Sequence, residues 1–73
     1  MLFRSELFER LRALRKRIAT EATMPPYVVF SDAALRAMCL ARPKDEAQFL
    51  DVQGVGQKKL ERYGEEFLRE INA

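Results

Sequence analysis

The sequence contains no histidine and only one cysteine, Cys39, among its 73 residues. These absences exclude zinc sites built from cysteine and histidine, catalysis that depends on a histidine base, and an internal disulfide. A chain of this length forms one small domain, whose core has little room for an enclosed active site. We therefore expect residues 1–73 to be a single domain that is not itself an enzyme and holds no metal or cofactor.

Long hydrophobic runs are also absent, since no apolar stretch approaches the roughly 20 residues that cross a membrane. Charged residues such as Arg4 and Glu6 interrupt the N-terminal segment, which therefore does not resemble a secretory signal peptide. Low cysteine content is typical of a reducing compartment. The sequence predicts a cytoplasmic domain with no membrane partner.

An excess of one charge is lacking too, because thirteen Lys and Arg oppose eleven Asp and Glu, for a net charge of +2. The distribution is uneven, however. Residues 1–22 carry a net charge of +3, whereas residues 44–56 carry a net charge of −2. This polarity predicts a basic face on the first helix, of the kind that contacts phosphates.

Helical periodicity is clearest near the N-terminus, where four aliphatic residues share one face: Leu7, Leu11, Leu14 and Ile18. Ser5 is the predicted N-cap, and the helix is expected to end near Ala22, ahead of Pro25. The segment 24–30 begins with two prolines and continues with large apolar residues. It predicts an ordered, extended connection that packs on the helices.

Three further helices are expected after this connection. Ser31 caps one, Asp45 opens a short one, and residues 57–72 form the last, with Gly64 as a point where it kinks or divides. Cys39 lies in an apolar run and is expected to be buried and inert. The pattern as a whole predicts an all-α bundle of four or five helices.

Basic residues on the first helix are the first binding candidate. Arg12 and Lys16 share one side of the helix and Arg15 lies near the edge of the core, while Arg10 and Arg17 fall on the other side. The alternative is a solvated helix face with intrahelical ion pairs such as Glu6–Arg10.

Tyr27 is the second candidate, because it follows two rigid prolines and is close to basic residues. An exposed aromatic ring there would stack on an unpaired base. The alternative is a ring packed on the core with only its hydroxyl in solvent. A third candidate is the turn 54–56 before Lys58 and Lys59, where a helix N-terminus and two ammonium groups would face a phosphate. The alternative is a tight interhelical turn that needs glycine for positive φ.

Four stretches together resemble one known family. These are Leu2-Phe3, residues 7–15 (LFERLRALR), residues 25–35 (PPYVVFSDAAL) and residues 54–64 (GVGQKKLERYG). They are similar, in order and distance, to the HRDC domain (helicase and RNase D C-terminal), in the version found in bacterial RecQ helicases. The resemblance covers almost the whole chain.

The resemblance implies a compact bundle of about five helices at the C-terminal end of a larger DNA helicase. It implies weak binding of single-stranded or structured DNA, monomeric behaviour, and contact with the helicase core, to which ATP, Mg²⁺ and Zn²⁺ would belong. The positions that would contact nucleic acid are Tyr27, Arg12, Arg15, Lys16, Arg36, Lys58 and Lys59. The alternative is a regulatory module that docks on the helicase core or a partner protein.

Overall fold

Residues 5–73, which the computed structural model describes, form five helices and no strand. The helices are α1 (Glu6–Ala22), α2 (Pro26–Val29), α3 (Asp32–Ala41), α4 (Glu46–Leu50) and α5 (Gln57–Ile71). The prediction of an all-α bundle is confirmed. Leu2-Phe3, which contributed to the family resemblance, lies outside the described residues.

Side-chain caps begin three of these helices, as the sequence predicts. In each, a side-chain oxygen accepts a hydrogen bond from the backbone N–H three residues later, at 2.9–3.1 Å: Ser5, Ser31 and Asp45. The first helix ends at Ala22 because Thr23 takes a left-handed conformation with φ 57°. Each cap satisfies a backbone donor that a helix N-terminus otherwise leaves unpaired.

The connection between α1 and α3 differs from the extended path that we predict from its prolines. Pro25 is extended, with ψ 146°, but Pro26 opens the one-turn helix α2, and Phe30 N–H donates to Pro26 O at 3.4 Å. Proline fits the first position of a helix because its fixed φ is helical and no N–H is needed there. The residue before a proline avoids the α region, which is why Pro25, and not Pro26, is extended.

Phe30 lies at the centre of the core. Its ring makes edge-on contacts with three others, at centroid distances of 4.9–6.1 Å: Phe49, Tyr63 and Phe67. The predicted aliphatic stripe of α1 belongs to the same core cluster as these rings, and Cys39 is buried as expected. Burial raises the pKa of the Cys39 thiol, so the sulfur is held in its unreactive protonated form.

The three glycines, in α5 and in the turn before it, have different structural roles. Gly54 has φ +92°, and a Cβ there would lie 2.9 Å from Ala34 Cβ, so this turn requires glycine. Gly56 has φ −99° and is the N-cap of α5, which makes the expectation of positive φ wrong at that position. Gly64 does not divide α5, which is continuous over Gln57–Ile71.

Candidate nucleic-acid interface

The four residues that follow the prolines divide between the core and the solvent. Val29 and Phe30 are fully buried, whereas Tyr27 is 70% exposed and Val28 is 41% exposed. A single helical turn produces this division, since it sends adjacent side chains about 100° apart. Of the two alternatives for Tyr27, the structure therefore favours the exposed ring.

Arg15 fixes the chain immediately after α2. Its Nη1 donates to Phe30 O at 3.0 Å and lies 2.7 Å from Asp32 Oδ1. The residue is only 9% exposed, and its Nε is buried with no hydrogen-bond partner among the described residues. The Arg15 guanidinium therefore has few donors available to a phosphate. Its surroundings indicate that Arg15 instead holds the turn that carries Tyr27 in position.

Asp32, the acidic partner of Arg15, lies in a positively charged environment. The hydrogen bond from Arg15 has the largest effect and lowers the pKa of the Asp32 carboxyl. Burial opposes it, and the charges of Arg15, Arg12 and Arg36 add smaller lowering effects. Arg36 is exposed on α3. Three of the predicted basic contacts thus stabilise the charge of one carboxylate.

An open groove of about 370 Å³ separates α1 from α2, and we call it the α1 groove. Its lining residues are Glu9, Arg12, Ala13, Arg15, Lys16 and Pro26. Arg12 and Lys16 therefore meet on one surface beside the turn that carries Tyr27, as the helical spacing predicts. Arg12 Nη1 also lies 3.3 Å from Glu9 Oε1.

A second open groove, of about 230 Å³, lies on the other side of α2, and we call it the α5 groove. Its lining residues are Val28, Lys58, Lys59, Arg62 and Tyr63. Lys59 Nζ also lies 5.5 Å from the centroid of the Phe30 ring, within the range of a cation–π interaction. Lys58 and Lys59 are candidates from the sequence because they follow the turn 54–56. In the structure both line a groove beside α2, the helix that carries Tyr27.

The remaining basic residues of α1 tie it to α5. Arg10 Nε lies 2.8 Å from Glu70 Oε2, and Arg17 Nη2 lies 3.1 Å from Glu66 Oε2. The predicted Glu6–Arg10 pair is also present, at 3.8 Å. The basic residues on one side of α1 thus form ion pairs with α5, whereas those on the other side line the groove next to α2.

Three residues that line the α5 groove were not among the sequence candidates for binding: Val28, Arg62 and Tyr63. Arg62 follows Lys58 by four residues and Lys59 by three, so helical spacing would have placed all three on one face. The exposure of Val28 could not be read from the sequence, because it depends on the helical turn that replaces the extended path.

Other kinds of site find no support in residues 5–73. That part of the chain contains no cluster of three acidic or cysteine side chains that could hold a metal ion. None of its helices is both long and apolar enough to cross a membrane.

Comparisons with known proteins agree with this architecture. The chain is 50% identical over 68 residues to the ATP-dependent DNA helicase RecQ of Bacillus subtilis, covering 93% of this chain and 12% of that protein. It is 48% identical over 63 residues to RecQ of Haemophilus influenzae, covering 86% of this chain and 10% of that protein. The chain thus spans about a tenth of the length of these curated relatives.

A solved structure, the D. radiodurans RecQ HRDC domain 3, is 39% identical and superposes with a TM-score of 0.89. The match covers 92% of this chain and 88% of that one. The model of the HRDC domain family matches residues 4–71. Sequence and fold agree over almost the whole chain, which therefore belongs to the HRDC domain family.

Proposed function

We propose that this domain is an accessory nucleic-acid-binding module of a RecQ-type, ATP-dependent DNA helicase. In this proposal it binds single-stranded or structured DNA weakly and modulates which substrates the helicase processes in repair and recombination. Its curated relatives are named as ATP-dependent DNA helicases, which supports a parent protein of that activity. ATP, Mg²⁺ and Zn²⁺ would then belong to the parent, and the helicase core would be the domain's partner within one chain.

The observation that carries this proposal is the exposed ring of Tyr27 on a rigid turn between two grooves lined by cations. A base that stacks on such a ring contributes roughly 1–3 kcal/mol, whatever its identity. The surrounding cations would contact phosphates. With about two to four such contacts, the log–log salt slope for a single strand is about −1.5 to −3.

Mutation of Tyr27 tests the stacking. We expect Tyr27→Ala to weaken binding of a fluorescein-labelled oligothymidylate by about fivefold or more, with a nearly unchanged salt slope, because the ring carries no charge. Tyr27→Phe keeps the ring and should bind like the unmodified domain. Leu40→Ala, a change at another exposed apolar residue, is the control for nonspecific effects. Stacking is contradicted if Tyr27→Ala binds as tightly as Tyr27→Phe.

A second candidate function is docking on the helicase core or a partner protein with little DNA binding. The acidic segment 45–51 favours it, because its exposed carboxylates, on Asp45, Glu46 and Asp51, repel a phosphate backbone but suit a basic protein surface. Amide NMR during an oligonucleotide titration at low salt separates the two functions. Shifts around Lys16, Tyr27 and Arg36 would support DNA binding, and the absence of any shift would support docking.

A further inference from the structure

The two grooves beside α2 differ in how far their cations are already neutralised. In the α1 groove, Arg12 is paired with Glu9 at 3.3 Å, and Glu9 itself lines the groove. Arg15 is paired with Asp32 at 2.7 Å and is almost buried. A phosphate entering this groove would have to compete with two carboxylates for two of its three cations.

In the α5 groove the cations have no such competitors. None of the ion pairs within residues 5–73 involves Lys58, Lys59 or Arg62, and no acidic residue lines the groove. The lining therefore carries three positive charges. The α1 lining carries a net charge of two, which falls to one when Asp32 is included.

Volume and charge favour different grooves as the phosphate-binding surface. The α1 groove is the larger of the two, whereas the α5 groove carries the greater positive charge. Charge is the better guide for a phosphodiester backbone, whose affinity depends chiefly on the number of phosphates neutralised. Cations that converge on a concave surface also reinforce each other's field, whereas interleaved carboxylates cancel it.

We propose that the α5 groove is the principal phosphate-binding surface of the domain, with Arg62 as a contact alongside Lys58 and Lys59. This inference rests on the proposed nucleic-acid binding. The occupant is a single strand, with one base on Tyr27 and the adjoining phosphates in the groove. Val28, which follows Tyr27 in the chain and lines the groove with the cations, would pack against the sugar. The α1 groove plays a secondary part.

Three charge-matched double variants test this assignment: K58Q/R62Q in the α5 groove, R12Q/K16Q in the α1 groove, and R42Q/K44Q in neither. Each lowers the net charge from +2 to zero, and all six side chains are exposed. Fluorescence anisotropy of a labelled oligothymidylate of about 15 nucleotides gives the affinity between 50 and 200 mM salt. Circular dichroism checks that each variant is folded.

We expect K58Q/R62Q to lose about tenfold or more in affinity at 50 mM salt and to flatten the log–log salt slope by about 1.4. R12Q/K16Q should lose less than about threefold, and R42Q/K44Q about as little. The assignment is overturned if R12Q/K16Q is the weaker binder of the two groove variants. It is also overturned if all three variants lose affinity equally, which would indicate an effect of net charge alone.

The outcomes separate this assignment from the function on which it rests. If the unmodified domain does not bind the oligonucleotide at 50 mM salt, the proposed function fails and the assignment fails with it. If the domain binds but K58Q/R62Q is unaffected, only the assignment fails. A polyglutamate peptide that displaces the oligonucleotide at equal charge concentration would assign the groove to acidic peptides and overturn the choice of a nucleic acid.

Discussion

The structure indicates a different role for Arg15 from the one that the sequence predicts. Its place near the edge of the apolar stripe made it a candidate phosphate contact. Its actual bonds, to Phe30 O and Asp32, connect α1 to the chain that follows the Tyr27 turn. The residue is best understood as the support on which that turn is presented.

Replacing this support should destabilise the domain. Arg15→Met keeps most of the apolar stem but leaves Phe30 O without its donor, so we expect a loss of about 1–3 kcal/mol in the free energy of unfolding. Arg12→Met, at an exposed position on the same helix, should cost less than about 0.5 kcal/mol. Urea unfolding followed by circular dichroism measures both. Equal effects of the two variants would contradict the supporting role.

Asp32 should make stability depend on acid. Its pKa is lowered in the folded state by Arg15, so the stabilisation it provides is present above the ordinary value of 3.8 and is lost as the pH falls through the lowered value. The effect is small because the Asp32 side chain is 60% exposed. We expect Asp32→Asn to be slightly less stable than the unmodified domain at neutral pH, with a difference that shrinks as the pH is lowered. Urea unfolding over a series of pH values from neutral to acid measures the difference, and a difference that does not shrink in acid would contradict this role.

At the scale of elements, the caps and the α1 stripe followed from sequence because they are local. A hydroxyl or carboxylate three residues before a free N–H, and leucines at helical spacing, require no knowledge of the rest of the fold. The α2 turn did not follow, because proline restricts the residue before it and also suits the first position of a helix. Packing of Val29 and Phe30 against the core selects the second outcome.

The same distinction applies to the candidate site. Helical spacing correctly placed Arg12 and Lys16 together, and it would have added Arg62 to Lys58 and Lys59. The sequence does not predict that Val28 lies in the same groove as the cations of α5. These residues are some thirty positions apart in the chain, and only the folding of the core brings them together. Ion pairing between α1 and α5 is equally nonlocal, and only the structure separates the neutralised cations from the free ones.

Two glycines near α5 should respond differently to the same substitution. Gly54→Ala combines a positive φ with a Cβ 2.9 Å from Ala34 Cβ, so we expect a loss of about 1–3 kcal/mol. In Gly64→Ala the new Cβ would lie 2.7 Å from Leu60 Cδ1, at the flexible end of that side chain, and 3.8 Å from Phe49 Cδ2, which is an ordinary contact. The gain in helix propensity of about 1 kcal/mol offsets the adjustment of Leu60. Urea unfolding should place Gly64→Ala within about 1 kcal/mol of the unmodified domain and Gly54→Ala below it. The reverse order would contradict this account of the two sites.

At the scale of the whole molecule, ion pairs join the two longest helices. Arg10–Glu70 and Arg17–Glu66 are partly exposed, so each contributes about 0–1 kcal/mol and is weakened by salt. We expect E66Q/E70Q to be less stable than the unmodified domain at low ionic strength, with the difference shrinking in 1 M NaCl. Unfolding in urea, an uncharged denaturant, at the two salt concentrations measures this. A difference that does not change with salt would show that packing, and not charge, is lost.

Residues 27–30 divide into two buried and two exposed positions, and this division affects which of them can vary in evolution. Val29 and Phe30 hold the fold, while Tyr27 and Val28 beside them contribute little to the core. Substitutions at the two exposed positions therefore change the chemistry of the surface at almost no cost to stability. Over many generations these two codons can vary while the scaffold beneath them stays the same.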